Sequence, residues 1–456
     1  MRLLHTRDFT FKDFFDDQIP HYAILSHRWS DEEVSYENFS TYRDEILKHG
    51  SRGYGWTKIW KACDLANKYE SAPLDWVWID TCCIDKSSSA ELSEAINSMY
   101  RWYKDATICL VFLPDVHDPT LCSCMLSDHT VHRAEFPSLS ARFYTEELKN
   151  SAWFRRAWTL QELLAPISMF LFSTEFCPIG TKAELAGLIA EASDIPEKFI
   201  RGEPLSTACV AQRMKWAAKR QASRQEDIAY SLIGLFEVNL PLLYGEGGER
   251  AFRRLQKEII QSSPDGSIFC WSRPRTALWE NEGMLAPTIR CFASDFDVRR
   301  LFAVRPHHEL TNRGFRISVV IPEYLPKAPD LVNGQIRPYV NTFNKSRASN
   351  KFILPLNCKI DWTRGPRGRR FGLLIRIERY GVTGGVKVAI AQGCRTADLL
   401  LSDSARKPDP STSWDRMVDV WYSVMGERAE VKGVFVADTL EAVNSSMVSC
   451  QVYLDI

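Results

Sequence analysis

Four short apolar runs constrain this chain more than any other feature of its sequence. They are Tyr22–Leu25, the WVWI of DWVWIDTCCID (75–85), TICLVFL (107–113) and ISMFLF (167–172). Each is too short for a buried helix and has the length of a strand covered on both faces. Patterns of helical spacing lie between them. Ile59, Cys63 and Ala66 share one face of 56–69, and Leu92, Ile96, Met99 and Tyr103 form a stripe after Ser87-Ser88-Ser89. FRRAWTLQELLA (154–165) reads as a further helix, stopped by Pro166. Strands alternating with helices predict an α/β fold with an open, mostly parallel sheet. The stretch 114–150 interrupts the alternation as a long irregular segment.

After residue 180 the pattern changes twice. TKAELAGLIAEA, VAQRMKWAAKRQ, QEDIAYSLIGLF and GERAFRRLQKEII read as helices up to about 262. From about 266, runs such as GFRISVVI, KFILPLN, RFGLLIRIERY and VKVAIA are strand-like and punctuated by Gly and Pro. The expected organisation is an α/β domain over 15–180, a helical extension over 181–262 and a β-rich domain over 266–456. The extension carries apolar faces (Leu185, Leu188, Met214, Ile228, Leu232, Leu235) and no flexible spacer precedes it, so it is expected to pack on the first domain.

Charge and composition exclude several classes. Fifty-seven Lys and Arg balance fifty-seven Asp and Glu, so there is no global field to gather nucleic acid. Charges interrupt the first seventeen residues, which therefore lack a signal-peptide core, and no apolar run is long enough to span a bilayer. Thirteen cysteines without an export signal read as thiols of a reducing compartment, and a cytoplasmic protein with no membrane partner is expected.

The chemistry-bearing residues gather at the strand ends. In open α/β sheets ligands bind beyond the carboxyl ends of the strands. Those ends present Ser26, His27, Arg28 and Trp29, then Asp80 and Thr81, then Asp115. Arg28 suits a phosphate. Asp80, inside an apolar run, must find hydrogen-bond partners, and bonding to the Ser26–Trp29 loop is the expected role. Trp29 and Trp158 are expected to pack in the core, with stacking on a ligand as the alternative. Ser88-x-x-Glu91 is a capping-box pattern, which accounts for Glu91 structurally. Cys122-x-Cys124 with His129 and His132 is a loose zinc-like spacing, and no metal site is assigned to it. GEGGER (245–250) lacks the Lys-Ser/Thr of a phosphate loop and reads as a turn into a helix. Arg364, Arg367, Arg369 and Arg370 read as a solvated hairpin tip, and Cys82-Cys83 as core.

YAILSHRW (22–29), the helix near Trp56, WVWIDTCCIDK (76–86), ELSEAINSMYRWYKDA (91–106) and RRAWTLQELLAP (155–166), in that order, resemble the fungal heterokaryon-incompatibility (HET) domain. VAQRMKWAAKR through ERAFRRLQKEI (210–259) is similar to the extension that often follows it. HET domains are in turn distantly similar to Toll/interleukin-receptor (TIR) domains, so the resemblance implies a TIR-like, flavodoxin-like sheet. It also implies a role in nonself recognition and programmed cell death. Many TIR domains cleave NAD at the nicotinamide–ribose bond with a Glu four residues after a Trp on a helix. That resemblance places the catalytic carboxylate at Glu162, four after Trp158; for such a substrate the strand-end residues Ser26, His27, Arg28, Trp29 and Asp80, and Trp158 on the helix face of Glu162, are the expected substrate-binding residues. NAD would be substrate rather than cofactor, and self-association and a protein trigger are the implied partners. An assembly module without catalysis is the alternative, in which Glu162 is a solvated residue or pairs with Arg155 or Arg156.

Overall fold

The computed structural model describes residues 1–49, 53–69, 72–117, 145–271 and 285–293, and beyond residue 295 the strands. The apolar runs become strands because only a sheet satisfies their backbone once both faces are buried. They are β3 (Ala23–His27), β4 (Trp76–Trp78), β5 (Ile108–Phe112) and β6 (Met169–Phe172), preceded by β1 (Arg2–His5) and β2 (Phe11–Asp13) and followed by β7 (Pro178–Thr181). The sheet order is β2-β1-β4-β3-β5-β6-β7. Strands β4, β3, β5 and β6 are parallel, β1 and the edge strand β2 continue the sheet antiparallel on one side, and the edge strand β7 does so on the other. The α/β expectation holds, with a mixed, mostly parallel sheet.

The helices are α1 (Tyr36–His49), α2 (Tyr54–Asn67), α3 (Ser89–Asp105), α4 (Thr145–Asn150) and α5 (Thr159–Leu164). α3 begins where Ser88 Oγ accepts the Glu91 amide at 3.3 Å, and it buries Ala95, Ile96, Met99, Trp102 and Tyr103. The expected capping box forms only halfway. The Glu91 carboxylate bonds the Asp85 amide (2.7 Å) and the Arg2 guanidinium (2.7 and 3.2 Å) instead of returning to Ser88.

The expected continuous helix over 154–165 is also corrected. A 3-10 turn covers Ala152–Arg155, Arg156 is extended, and only α5 is α-helical. A non-local pairing breaks the helix. The Gln221 amide donates to the Arg155 carbonyl (2.7 Å) and the Ala157 amide to the Gln221 carbonyl (2.8 Å). Asp115 caps the 3-10 turn, accepting from Ser151 Oγ and the Ala152 amide, both at 2.7 Å.

The chain divides into two compact units, Met1–Thr207 with Lys219–Ala251, and Ala208–Ala218 with Phe252–Ile456. In the first, the helix patterns after residue 180 become Ala186–Ser193, Asp227–Tyr230 and Ile233–Phe236. The GEGGER turn is tied down locally, because Glu226 Oε1 accepts the amides of Gly245 and Gly247, each at 3.0 Å. Those amides are therefore not offered to a phosphate.

The second unit contains the helix Val210–Ala217, whose first amides donate to Asp265 and Ser267 side chains. Its strands, from Phe296–Arg300 to Met447–Leu454, form a seven-stranded and a three-stranded sheet. Lys351–Trp362 and Arg369–Thr383 pair antiparallel, as a hairpin requires. The link carrying Arg364 and Arg367 lies outside the described residues, as do Cys122, Cys124, His129 and His132.

Candidate active site

The order of the parallel strands places the site. The chain leaves β3 toward β4 on one side, then crosses by α3 to β5 on the other. Loops from the carboxyl ends of β3 and β5 therefore diverge, and a crevice of this kind is where open α/β sheets bind ligands. Ser26 and His27 end β3 at that point, and successive strand residues face opposite sides of the sheet.

On Ser26's side lies α5. Ser26 Oγ donates to Glu162 Oε2 at 2.5 Å and accepts from the Trp153 indole at 2.9 Å. Glu162 is only 6% exposed, and Ser26 and Trp153 are fully buried. Burial, opposed by the Ser26 hydrogen bond and reinforced by the charge of Asp80, pushes the Glu162 carboxyl up to about 8. The positive charges of Arg156 and Arg220 pull it back. Arg220 is itself buried and drawn down to about 9 by burial, against the pull of Glu162. It donates to the Arg156 carbonyl (2.9 Å) and Thr159 Oγ1 (3.0 Å). At neutral pH Glu162 is thus a neutral acid, poised to ionise if a cation arrives beside it.

On His27's side lies α2. His27 Nε2 is 2.9 Å from Asp80 Oδ1, and the Trp29 indole donates to Asp80 Oδ2 at 2.8 Å. The expected role of Asp80, bonding the loop after β3, is what the geometry displays. Burial alone would raise the Asp80 carboxyl, but His27, Lys86 and the Trp29 hydrogen bond outweigh it and bring it to about 2. Lys58, 1% exposed, bonds His27 Nδ1 (2.9 Å), the Arg28 carbonyl (3.3 Å) and the Glu33 carboxylate. Glu33 also accepts from the Ser30 amide at 2.8 Å.

The residues predicted from sequence therefore divide. Ser26, His27, Asp80 and Glu162 are brought together around the end of β3. Arg28 and Trp29 are exposed on the loop above them, and Trp29 is 44% exposed rather than core. Lys86 Nζ sits 3.6 Å over the Trp29 ring. Trp158 precedes the first turn of α5 and its side chain hydrogen-bonds Asp227, so it supports the helix start from that side. Lys58, Glu33, Trp153, Lys86 and Arg220 were not singled out by sequence. The one signal for Lys58 was its place on the same stripe as Ala62 and Leu65, which are buried.

Residues 22–162 match the family model described as Heterokaryon incompatibility protein (HET). The chain carries a HET domain. The match begins one residue before β3 and ends on Glu162, so it encloses both sides of the site. The "Vegetative incompatibility protein HET-E-1" of Podospora anserina is 43% identical over 250 residues, which is 54% of this chain and 17% of that protein. The chain thus spans a minor part of that relative's length. Residues 250–319 match a domain of unknown function (DUF8212). No solved structure matches the chain. Among the described residues no helix is long and apolar enough to cross a membrane, and no cluster of three or more His, Cys, Asp or Glu is placed to hold a metal ion.

Proposed function

We propose that this chain is an incompatibility effector that triggers cell death on nonself recognition, and that its HET domain acts by hydrolysing the nicotinamide–ribose bond of NAD. The observation that carries the reading is the buried carboxyl of Glu162, bonded to Ser26 at the carboxyl end of the central strand. Breaking the N-glycosidic bond releases neutral nicotinamide and leaves positive charge on the ribose, and a water oxygen then bonds to the anomeric carbon and loses a proton. A carboxylate beside that carbon stabilises the developing cation, as in glycosidases. The nicotinamide ring of NAD is itself cationic, so its arrival favours the ionised form of Glu162 just where that form is needed. A second carboxylic acid is not required, because the leaving group departs without protonation.

The similarity to the TIR pattern supports two further parts of the reading, that neighbouring copies complete the site and that a protein partner sets off assembly. The burial of Glu162 favours a second reading, a non-catalytic assembly module in which Ser26, Trp153 and Glu162 hold the core together. Incubating the purified full-length chain with NAD and measuring nicotinamide decides between them. The enzyme is expected to release nicotinamide at a rate that rises more than linearly with protein concentration, and Glu162→Gln is expected to stop it. A folded chain that releases none at any concentration is the module. Strictly linear activity from a monomer would remove self-association from the mechanism.

A further inference from the structure

Lys58 is a cation buried inside the domain, and the reaction above gives it nothing to do. Among the described residues it is one of few charged side chains with almost no exposure, so it cannot touch a ligand at the crevice. Burying an ammonium is costly, and every hydrogen it can donate is spent on the loop after β3: one on His27 Nδ1, one on the Arg28 carbonyl and one on Glu33. Because the ammonium is donor-only, His27 Nδ1 must accept. The imidazole therefore carries its hydrogen on Nε2 and donates it to Asp80 Oδ1. The other oxygen of Asp80 then takes the Trp29 indole hydrogen. The donors converge on the Asp80 carboxylate, from the buried Lys58 through His27 on one side and from the Trp29 indole at the surface on the other.

We propose that Lys58 is a positioning residue that fixes His27 as its Nε2–H tautomer, and holds Trp29 (through Asp80) and Arg28 (through its carbonyl) as the platform for the planar ring and phosphate of a nucleotide. The inference rests on the nucleotide reading of the same site. Trp29 offers a half-exposed ring with Lys86 already on it, and Arg28 stands exposed beside it. A flat ring next to two cations suits a base joined to a phosphate better than an apolar or cationic ligand. Glu33 balances the charge of Lys58, and Lys86 that of Asp80, so the relay holds its polarity without a ligand present.

The test uses the full-length chain with 15N-labelled histidine, the His27 signals being assigned by their loss in His27→Gln. The parent is expected to show one tautomer, with bare Nδ1 and protonated Nε2, and Lys58→Met a mixture. NAD binding is measured by calorimetry in the Glu162→Gln background, where turnover does not interfere. Adding Lys58→Met is expected to weaken it about tenfold, the scale of one charge-assisted hydrogen bond. In the otherwise unaltered enzyme the same change is expected to raise KM more than it lowers kcat. A parent with Nδ1–H overturns the proposal, even if Lys58→Met fails to fold. So does a folded Lys58→Met chain that binds NAD as tightly as its parent. If the Glu162→Gln chain binds no NAD, the nucleotide reading fails, and the tautomer of His27 alone judges the relay.

Discussion

Ser26 and His27 are neighbours on one strand, yet the carboxyl groups they bond behave in opposite ways. Glu162, behind Ser26, is pushed up to about 8, and Asp80, behind His27, is brought to about 2. Burial penalises the ionised form of both. The difference is in the donors. Glu162 receives one neutral hydroxyl, itself shared with Trp153. Asp80 receives an imidazole, an indole and the field of Lys86. Desolvation without enough donors leaves a neutral acid, and desolvation with them leaves an anion. Environments that drive two carboxyl groups apart are a physical mark of divided labour in a site.

The change that tests this contrast hardest is Glu162→Gln. It keeps the shape and removes the ability to ionise beside the substrate, and NAD cleavage is expected to fall on the order of 10²-fold or more. A folded, fully active variant would end the catalytic assignment.

The same residue gives the next effect. Folded Glu162 stays neutral to about 8, whereas in the unfolded chain it ionises near the ordinary value of 4.5. Its contribution to stability is complete below about 4.5 and is lost as pH climbs toward 8, by on the order of a few kcal/mol. Melting temperature measured across that window is expected to fall in the parent as the unfolded chain ionises this carboxyl and the folded chain does not. Glu162→Gln should lose that fall and melt above the parent at pH 8.

Asp80 has the opposite sign. Its folded pKa lies below the ordinary value of 3.8, so its stabilisation is present above about 4 and lost as pH drops toward 2. Asp80→Asn is expected to cost about 2 kcal/mol at neutral pH and to flatten the acid arm of the stability curve. Chemical denaturation at pH 7 and pH 3 measures both.

Glu91→Gln is the smallest and serves as the control. The loss of charge toward the partly buried Arg2 should cost about 1 kcal/mol, read by the same denaturation, with NAD cleavage retained. A folded but inactive Glu91→Gln chain would move the catalytic role to that carboxylate.

The central strands were readable because burial on both faces favours apolar residues, so Tyr22–Leu25, Ile108–Phe112 and Met169–Phe172 announce themselves as apolar runs, the first ending in the polar Ser26 and His27. The short antiparallel strands Arg2–His5 and Phe11–Asp13 did not, since three or four residues make no pattern and the second, an edge, tolerates charge on its open side. The break at Arg156 was invisible because its cause, Gln221, lies far along the chain. Of the site, Ser26, His27 and Asp80 could be named from strand ends alone, and Glu162 only through a family likeness. Lys58 could not be named at all. A lysine on a helix reads as a surface residue, and nothing local reveals that His27 and Glu33 await it.

Gly55, in the first turn of α2, sits so close to the loop after β3 that a Cβ there would fall 2.1 Å from the Glu32 carbonyl oxygen. No side chain rotation relieves an overlap with backbone. Two stretches more than twenty residues apart are thereby bound to a common fate over generations. A lineage can remodel the loop only by remodelling the helix that faces it. Swapping the loop between relatives to trade one specificity for another should succeed only when the first turn of that helix travels with it.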